Sequence, residues 1–281
     1  MKSLTRLAVC AITLSALAFG GSIFLTGHDA DFHALVGGNA AGAQHINQAA
    51  ITYIMDPAFN PFVTSGATKF LFVESSITVP SGHVDGINGI IASGYANGIA
   101  FDKADASTLN AALNLLGSTY GGIVIASDFG GILTQAELDI LNARKTDIIA
   151  FLNAGGGLYA MAEGNNGAGL TPNGGWYGFL PFVISSTNLN QGESGYTVTP
   201  FGASLGLTNS DVNGNFSHNI FVSAGGMNVV DMDAAGDILS LAVRAQVNEG
   251  GVVPEPSAYA CLAGGLALLA LAARRRRNRD S

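Results

Sequence analysis

The chain has 281 residues, 38 of them glycine, with only 11% charged side chains and a formal net charge of −8. Between residues 19 and 257 the balance is more acidic: Lys69, Lys103, Arg144, Lys145 and Arg244 stand against nineteen Asp and Glu, a net of −14. Phosphate backbones need a basic face, so nucleic acid does not suit this surface, whereas divalent cations or neutral glycans do.

The N-terminal segment carries Lys2 and Arg6, then an apolar run over 7–19 broken only by Thr13 and Ser15 and containing Ala16, Leu17 and Ala18. A basic start, an apolar middle and small residues before a cut describe a secretory signal over 1–18. Cys10 lies in this segment and Cys261 in an apolar stretch near the other end, so the predicted mature domain has no thiol and no disulfide.

About 230 residues then remain for one core, with no repeat of the kind that builds solenoids or propellers. Residues 22–26 read as a buried strand. In the helix predicted over 44–55, Ile46, Ala49, Ala50, Tyr53 and Ile54 recur at helical spacing. A second strand is predicted at 70–73, a short helix at 85–93 and a third strand at 98–101. The helix 105–116 puts Leu109, Ala112, Leu113 and Leu116 on one face, and a fourth strand follows at 123–127. Thr134 and Glu137 have capping-box spacing. They open a helix whose stripe of Leu138, Leu141, Ile148, Ile149 and Leu152 runs to the glycines at 155–157. The fifth strand is predicted at 158–161, and strands with loops follow at 182–185, 196–198, 220–222, 228–231 and 239–244. Apolar strands alternating with helices predict an α/β fold, a doubly wound and mostly parallel sheet with helices on both faces and a β-rich final third.

The element order across 22–230 resembles the flavodoxin-like class I glutamine amidotransferase domain, including its trehalose-utilisation-like relatives. The residues that carry the likeness are Ala154, Gly155, Gly156 and Gly157 running into Leu158, Tyr159, Ala160, Met161, Ala162, Glu163 and Gly164. The resemblance implies a cysteine on a sharp elbow after the fifth strand, in a Gly-x-Cys-x-Gly setting. Ala162 stands at that position here, a vacant nucleophile site that excludes cysteine-based amide chemistry.

His28, Asp29, Asp31 and His33 follow the first strand directly, and Glu163 falls on the same carboxyl edge, where open parallel sheets bind ligands. Imidazole and carboxylate suit zinc, manganese or iron, so these five residues form a candidate metal or ligand site. The other reading of them is a capped turn with a histidine bonded to a backbone carbonyl. Ser127 and Asp128 flank the same edge, as a cleft or as turn residues. Gly202, Ser204 and Gly206 match Gly-x-Ser-x-Gly, with Asp211 and His218 following, but the polar run 207–216 offers no helix for an elbow. Trp176 and Tyr177, flanked by Gly174, Gly175 and Gly178, would form a glycan platform if exposed and a core edge if not.

Residues 250–256 read as a linker closing a domain over 19–249 and carrying Pro254, Glu255 and Pro256. The uncharged stretch 257–273 would rise about 26 Å as a helix, near the lower limit for spanning a bilayer. Arg274, Arg275, Arg276 and Arg277 in the basic segment 274–281 would stay cytoplasmic. This order resembles the PEP-CTERM sorting signal. That resemblance implies passage through the Sec translocon, membrane anchoring, and recognition by an exosortase, a membrane cysteine protease, in the envelope of a Gram-negative bacterium that makes exopolysaccharide. The expectation is an exported envelope or matrix protein serving as a non-catalytic interaction module. The alternatives are a metal-dependent hydrolase and a glycan-binding protein.

Overall fold

The computed structural model describes residues 20–162, 169–189 and 195–254. The predicted signal, the apolar stretch 257–273, Glu163, Glu255, Pro256 and Arg274 to Arg277 lie outside the described residues. Among those described, no helix is long and apolar enough to cross a membrane.

The fold is mixed α/β around a central sheet with a parallel core. In chain order the elements are β1 (Gly21–Thr26), α1 (Ala30–His33), α2 (Ala40–Ile54), α3 (Pro61–Thr64), β2 (Lys69–Val73), α4 (Gly86–Ala92), β3 (Phe101–Ala104), α5 (Leu109–Leu113), β4 (Tyr120–Ile125), α6 (Gln135–Ala143), α7 (Lys145–Asn153) and β5 (Gly157–Met161). The last third adds β6 (Ser186–Asn188), β7 (Thr197–Val198), α8 (Pro200–Ser204), α9 (Asn209–Val212), β8 (Asn219–Phe221), β9 (Asn228–Met232), β10 (Ile238–Asn248) and β11 (Gly251–Pro254). The sheet order is β3-β2-β4-β5-β1-β10-β8-β6. The strands from β3 to β1 pair in parallel, and β10 runs antiparallel to β1 over its whole length.

Helices cover both faces because successive β1 residues point to opposite sides. A Cβ on Gly21 would strike Leu152 of α7, and one on Gly157, beside Ser22, would strike Ile54 of α2. Phe24 on the α2 face meets Tyr53 and Tyr159 edge-on, and the Tyr159 hydroxyl donates to Asn47 Oδ1 at 3.0 Å. Every residue of β1, β4 and β5 is buried, as parallel strands covered on both faces require.

Several expected boundaries move. The third strand starts at Phe101, after a turn over 96–100, and β4 begins earlier, at Tyr120. Asp105 accepts the amides of Ser107 and Thr108, which consumes the first turn of the expected helix and leaves α5. The capping box at Thr134 and Glu137 forms, but the helix breaks at Arg144, whose guanidinium reaches Asn110, Asn114 and Asp147. No strand forms at 182–185; Phe182 and Ile184 pack against the core from a loop, and pairing begins at Ser186. Part of the expected linker is strand, because β11 pairs with β10 from Asn248↔Gly251 to Ala245↔Pro254.

Candidate functional site

Four strand ends deliver polar groups to the carboxyl edge of the sheet. After β1, Gly27 passes so close to the backbone of Asn219 that a Cβ there would lie 1.9 Å from its carbonyl oxygen. The His218 amide donates to Gly27 O at 2.7 Å, and His28 and Ser217 form an antiparallel bridge. The turn before β8 is thereby laid against the turn after β1. Asp29 is the residue before α1 and His33 its last, so the i,i+4 spacing puts both on one face. Glu74 follows β2, and Ser127 and Asp128 follow β4. The chain leaves β2 toward β3 and leaves β4 toward β5, on opposite sides, and a crevice between diverging connections is where such sheets bind ligands.

Asp29, His33 and His218 form a buried group whose ligand atoms all lie within 4.8 Å of one another. Asp29 Oδ1 is 3.2 Å from His33 Nε2 and 3.3 Å from His218 Nε2, and the three side chains are 1%, 5% and 4% exposed. Neither Asp29 Oδ1 nor His33 Nε2 has a hydrogen-bond partner, so the distances are those of an ion pair without the angles of a hydrogen bond. His33 Nδ1 faces the carbonyls of Val36 at 3.2 Å and Gly37 at 3.4 Å. A carbonyl only accepts, so Nδ1 carries a proton, and Nε2 is left facing the carboxylate, either as a second N–H or, in the neutral ring, as a lone pair free for a metal. Lone pairs converging in a buried place call for a proton or a metal ion between them. Burial disfavours ionised Asp29, yet His218 and His33 outweigh it and hold the carboxyl below its ordinary range. Burial likewise opposes a charged His33, but Asp29 and the Gly37 and Val36 carbonyls raise its pKa.

Of the four described residues singled out in the sequence, His28 and Asp31 stand apart from Asp29 and His33. His28 turns away: Nδ1 donates to Asn215 O at 2.9 Å, and Nε2 meets Asp231 Oδ2 of β9 at 2.8 Å. Both nitrogens face acceptors, so His28 is an imidazolium in a buried ion pair and has no lone pair for a metal, which corrects its place in the candidate set. Its pKa is raised, because Asp231 and the two carbonyls overcome desolvation. Asp31 accepts from Ser127 Oγ at 2.7 Å and from the Ser127 amide at 2.9 Å. Burial lifts its pKa to about 6 against those bonds. Glu74 accepts the amides of Gly86 and Ile87 and pairs with Lys103 at 3.2 Å. Burial, with Asp31 nearby, still lifts Glu74 to about 7. Asp128 is buried with neither carboxyl oxygen hydrogen-bonded, and burial with the Asp31 and Asp29 charges pushes its pKa well up.

Ala162 closes β5 onto β1, its amide donating to Thr26 O at 2.7 Å. Its φ of 41° is a left-handed conformation that alanine rarely adopts. Tyr177 is 1% exposed and packs against Phe179 and Phe221, so it offers no ring face to a glycan, and Trp176 packs on the same core from a half-buried position. Ser204 ends α8 and donates to Phe201 O, Asp211 pairs with His45, and His218 belongs to the buried group, so the Gly-x-Ser-x-Gly match assembles no triad. The member of this buried group that the sequence reading missed is His218. Its place depends on pairing between segments about 190 residues apart, for which local sequence holds no signal.

No protein-family model, curated protein or solved structure matches this chain.

Proposed function

We propose that the body of this protein is an exported, non-catalytic module of the cell envelope, built on an amidotransferase-like sheet, that holds a divalent transition metal between Asp29, His33 and His218. The observation that carries the metal reading is the convergence of three buried ligand atoms within 4.8 Å, with the far nitrogen of His33 fixed by backbone carbonyls. Two imidazoles and one carboxylate suit zinc or iron better than magnesium or calcium, which prefer all-oxygen shells.

Two further observations support the flavodoxin-like kinship. Counted from β2, the parallel strands stand in the order 2-1-3-4-5, with β1 filling the last place. The left-handed Ala162 sits where an elbow would be, and it carries no nucleophile. Export, anchoring through 257–273 and exosortase sorting at Pro254 to Pro256 rest on the two terminal segments of the sequence.

The test is metal analysis of the protein isolated from its own envelope, with mass measurement of the same sample. About one equivalent of metal per chain, lost in both His33→Ala and His218→Ala but kept in His28→Ala, is the expected result. Metal-free protein that gains no thermal stability on adding zinc would sink the metal reading. A mature C-terminus near Pro254 is expected from sorting, and an intact Arg274 would mean plain anchoring.

A further inference from the structure

We infer that Asp128 is the fourth protein ligand of the metal held by Asp29, His33 and His218, closing it into a four-coordinate structural site with two histidines and two aspartates. The inference rests on the metal reading of that centre and goes beyond it by naming the ligand that removes the open coordination position a catalytic metal would need.

The loop 127–131 joins β4 to the segment before α6. Ser127 is bonded to Asp31 through both its amide and its hydroxyl. The Phe129 ring lies 4.0 Å from the His218 ring, centre to centre. A Cβ on Gly130 would fall 2.4 Å from Asp29 Oδ2, so only glycine lets the backbone approach this carboxylate, and Gly130 O accepts the Val84 amide at 2.8 Å. The Gly131 amide donates to Ser127 Oγ at 2.8 Å. The loop is thus held by Asp31 before Asp128 and lies against His218 and Asp29 after it.

Asp128 is the exception in this loop. It is 3% exposed, and both oxygens are buried without a hydrogen-bond partner. The charges it feels, Asp31 and Asp29, have its own sign. A carboxyl buried among like charges takes up a proton in the metal-free protein, and a cation beside it would instead hold it ionised. Buried polar groups are almost always satisfied, so one left over in the loop that lies against Asp29 and His218 points to the same ion. Asp128 stands outside the three that already converge, so loading turns its side chain toward them. The ligands would then come from the β1–α1 turn, α1, the β4–α6 loop and the turn before β8, stapling segments that the sequence holds far apart. Two nitrogens and two oxygens in a buried, four-coordinate shell match zinc.

Cobalt(II), a coloured stand-in for zinc, tests this in the full-length protein. The wild type should show the intense visible bands of tetrahedral cobalt. Asp128→Asn should bind at least about tenfold more weakly, with the fainter bands of a site that has admitted water. Metal-free Asp128→Asn should melt close to the metal-free wild type, so that the loss is confined to the metal-bound state; a residue that merely supports the loop would destabilise the metal-free protein as well. Asp128→Glu, which keeps the carboxylate, should retain tetrahedral bands. Equal affinity and identical spectra for the wild type and Asp128→Asn would overturn the role of Asp128 while leaving the three-ligand centre standing. A wild type that binds neither cobalt nor zinc would overturn both.

Discussion

Two histidine–carboxylate contacts lie side by side at the end of β1, starting from adjacent residues, and their chemistry is opposite. His28 meets Asp231 Oδ2 at 2.8 Å with its other nitrogen also donating, so one proton on each nitrogen serves the whole imidazole, while Asp231 Oδ1 stays buried without a partner. His33 and His218 meet a single oxygen of Asp29 at 3.2 and 3.3 Å without hydrogen-bond angles, and Asp128 adds a carboxyl with no partner. The first contact hydrogen-bonds both imidazole nitrogens, whereas the second leaves Asp29 Oδ1, His33 Nε2 and both Asp128 oxygens without a hydrogen-bond partner. What makes a buried histidine a ligand is therefore the tally of donors and acceptors around it, not its distance from a carboxylate.

The largest expected effect breaks the first contact. Asp231→Ala leaves the His28 imidazolium buried and alone, and removing one partner of a buried pair costs about 3–5 kcal/mol. Urea unfolding of the metal-free protein measures it. Replacing both partners together, His28→Leu with Asp231→Val, should recover most of the loss, since apolar pairs often substitute for buried ion pairs without cost. A loss below about 1 kcal/mol in Asp231→Ala, the range of exposed ion pairs, would show that the contact is not the buried pair described.

Much of this architecture was legible because it is local. The buried strand β1, the apolar face of α2, the Thr134 and Glu137 capping box and the position of Ala162 all follow from residue spacing. Asp29 and His33 were legible too, since four residues separate them. The partition of the polar run was not, because it is decided by distant residues: Asp231 draws His28 away, Ser127 holds Asp31, and the His28 and Ser217 bridge delivers His218. The break at Arg144 has the same origin, since the side chain reaches back to Asn110 and Asn114. Paired sheet edges such as β11 escape notice when the strand is short and lies in a segment with the composition of a linker.

The next effect separates the two contacts by pH. The His28 pKa is raised in the folded state, so its contribution is complete below the ordinary value of about 6.5 and is lost as pH rises through the folded value. Asp31 and Glu74, lifted to about 6 and about 7, act in the same direction. The fold binds more protons than the unfolded chain above pH ~4, so the metal-free protein loses stability as pH rises from there past neutrality. Asp29, held below its ordinary range, opposes this only in strong acid, where its contribution disappears. Unfolding of the metal-free protein should therefore show a loss on the order of 2–3 kcal/mol between pH 5 and 8, flattened in Glu74→Gln. Added zinc should reverse the slope, because metal competes better for its ligands as the proton concentration falls. A metal-free stability that climbs steadily over this range would contradict the raised carboxyl values.

The smallest effect lies just beneath both contacts. Ala162 holds a left-handed φ of 41° while its amide bonds Thr26 O, and the Thr26 hydroxyl accepts the His28 amide at 3.1 Å. Glycine adopts this conformation without the clash between Cβ and carbonyl that alanine suffers, which costs about 1–2 kcal/mol. Part of that gain is offset by the greater freedom of glycine in the unfolded chain, so Ala162→Gly should stabilise the protein by about 0.5–1 kcal/mol. Thermal unfolding detects a change of this size, and metal affinity should stay constant, since the backbone bond to Thr26 survives. Destabilisation by Ala162→Gly would instead mean that the alanine methyl, fully buried at the end of β5, contributes more through packing than its backbone loses through strain.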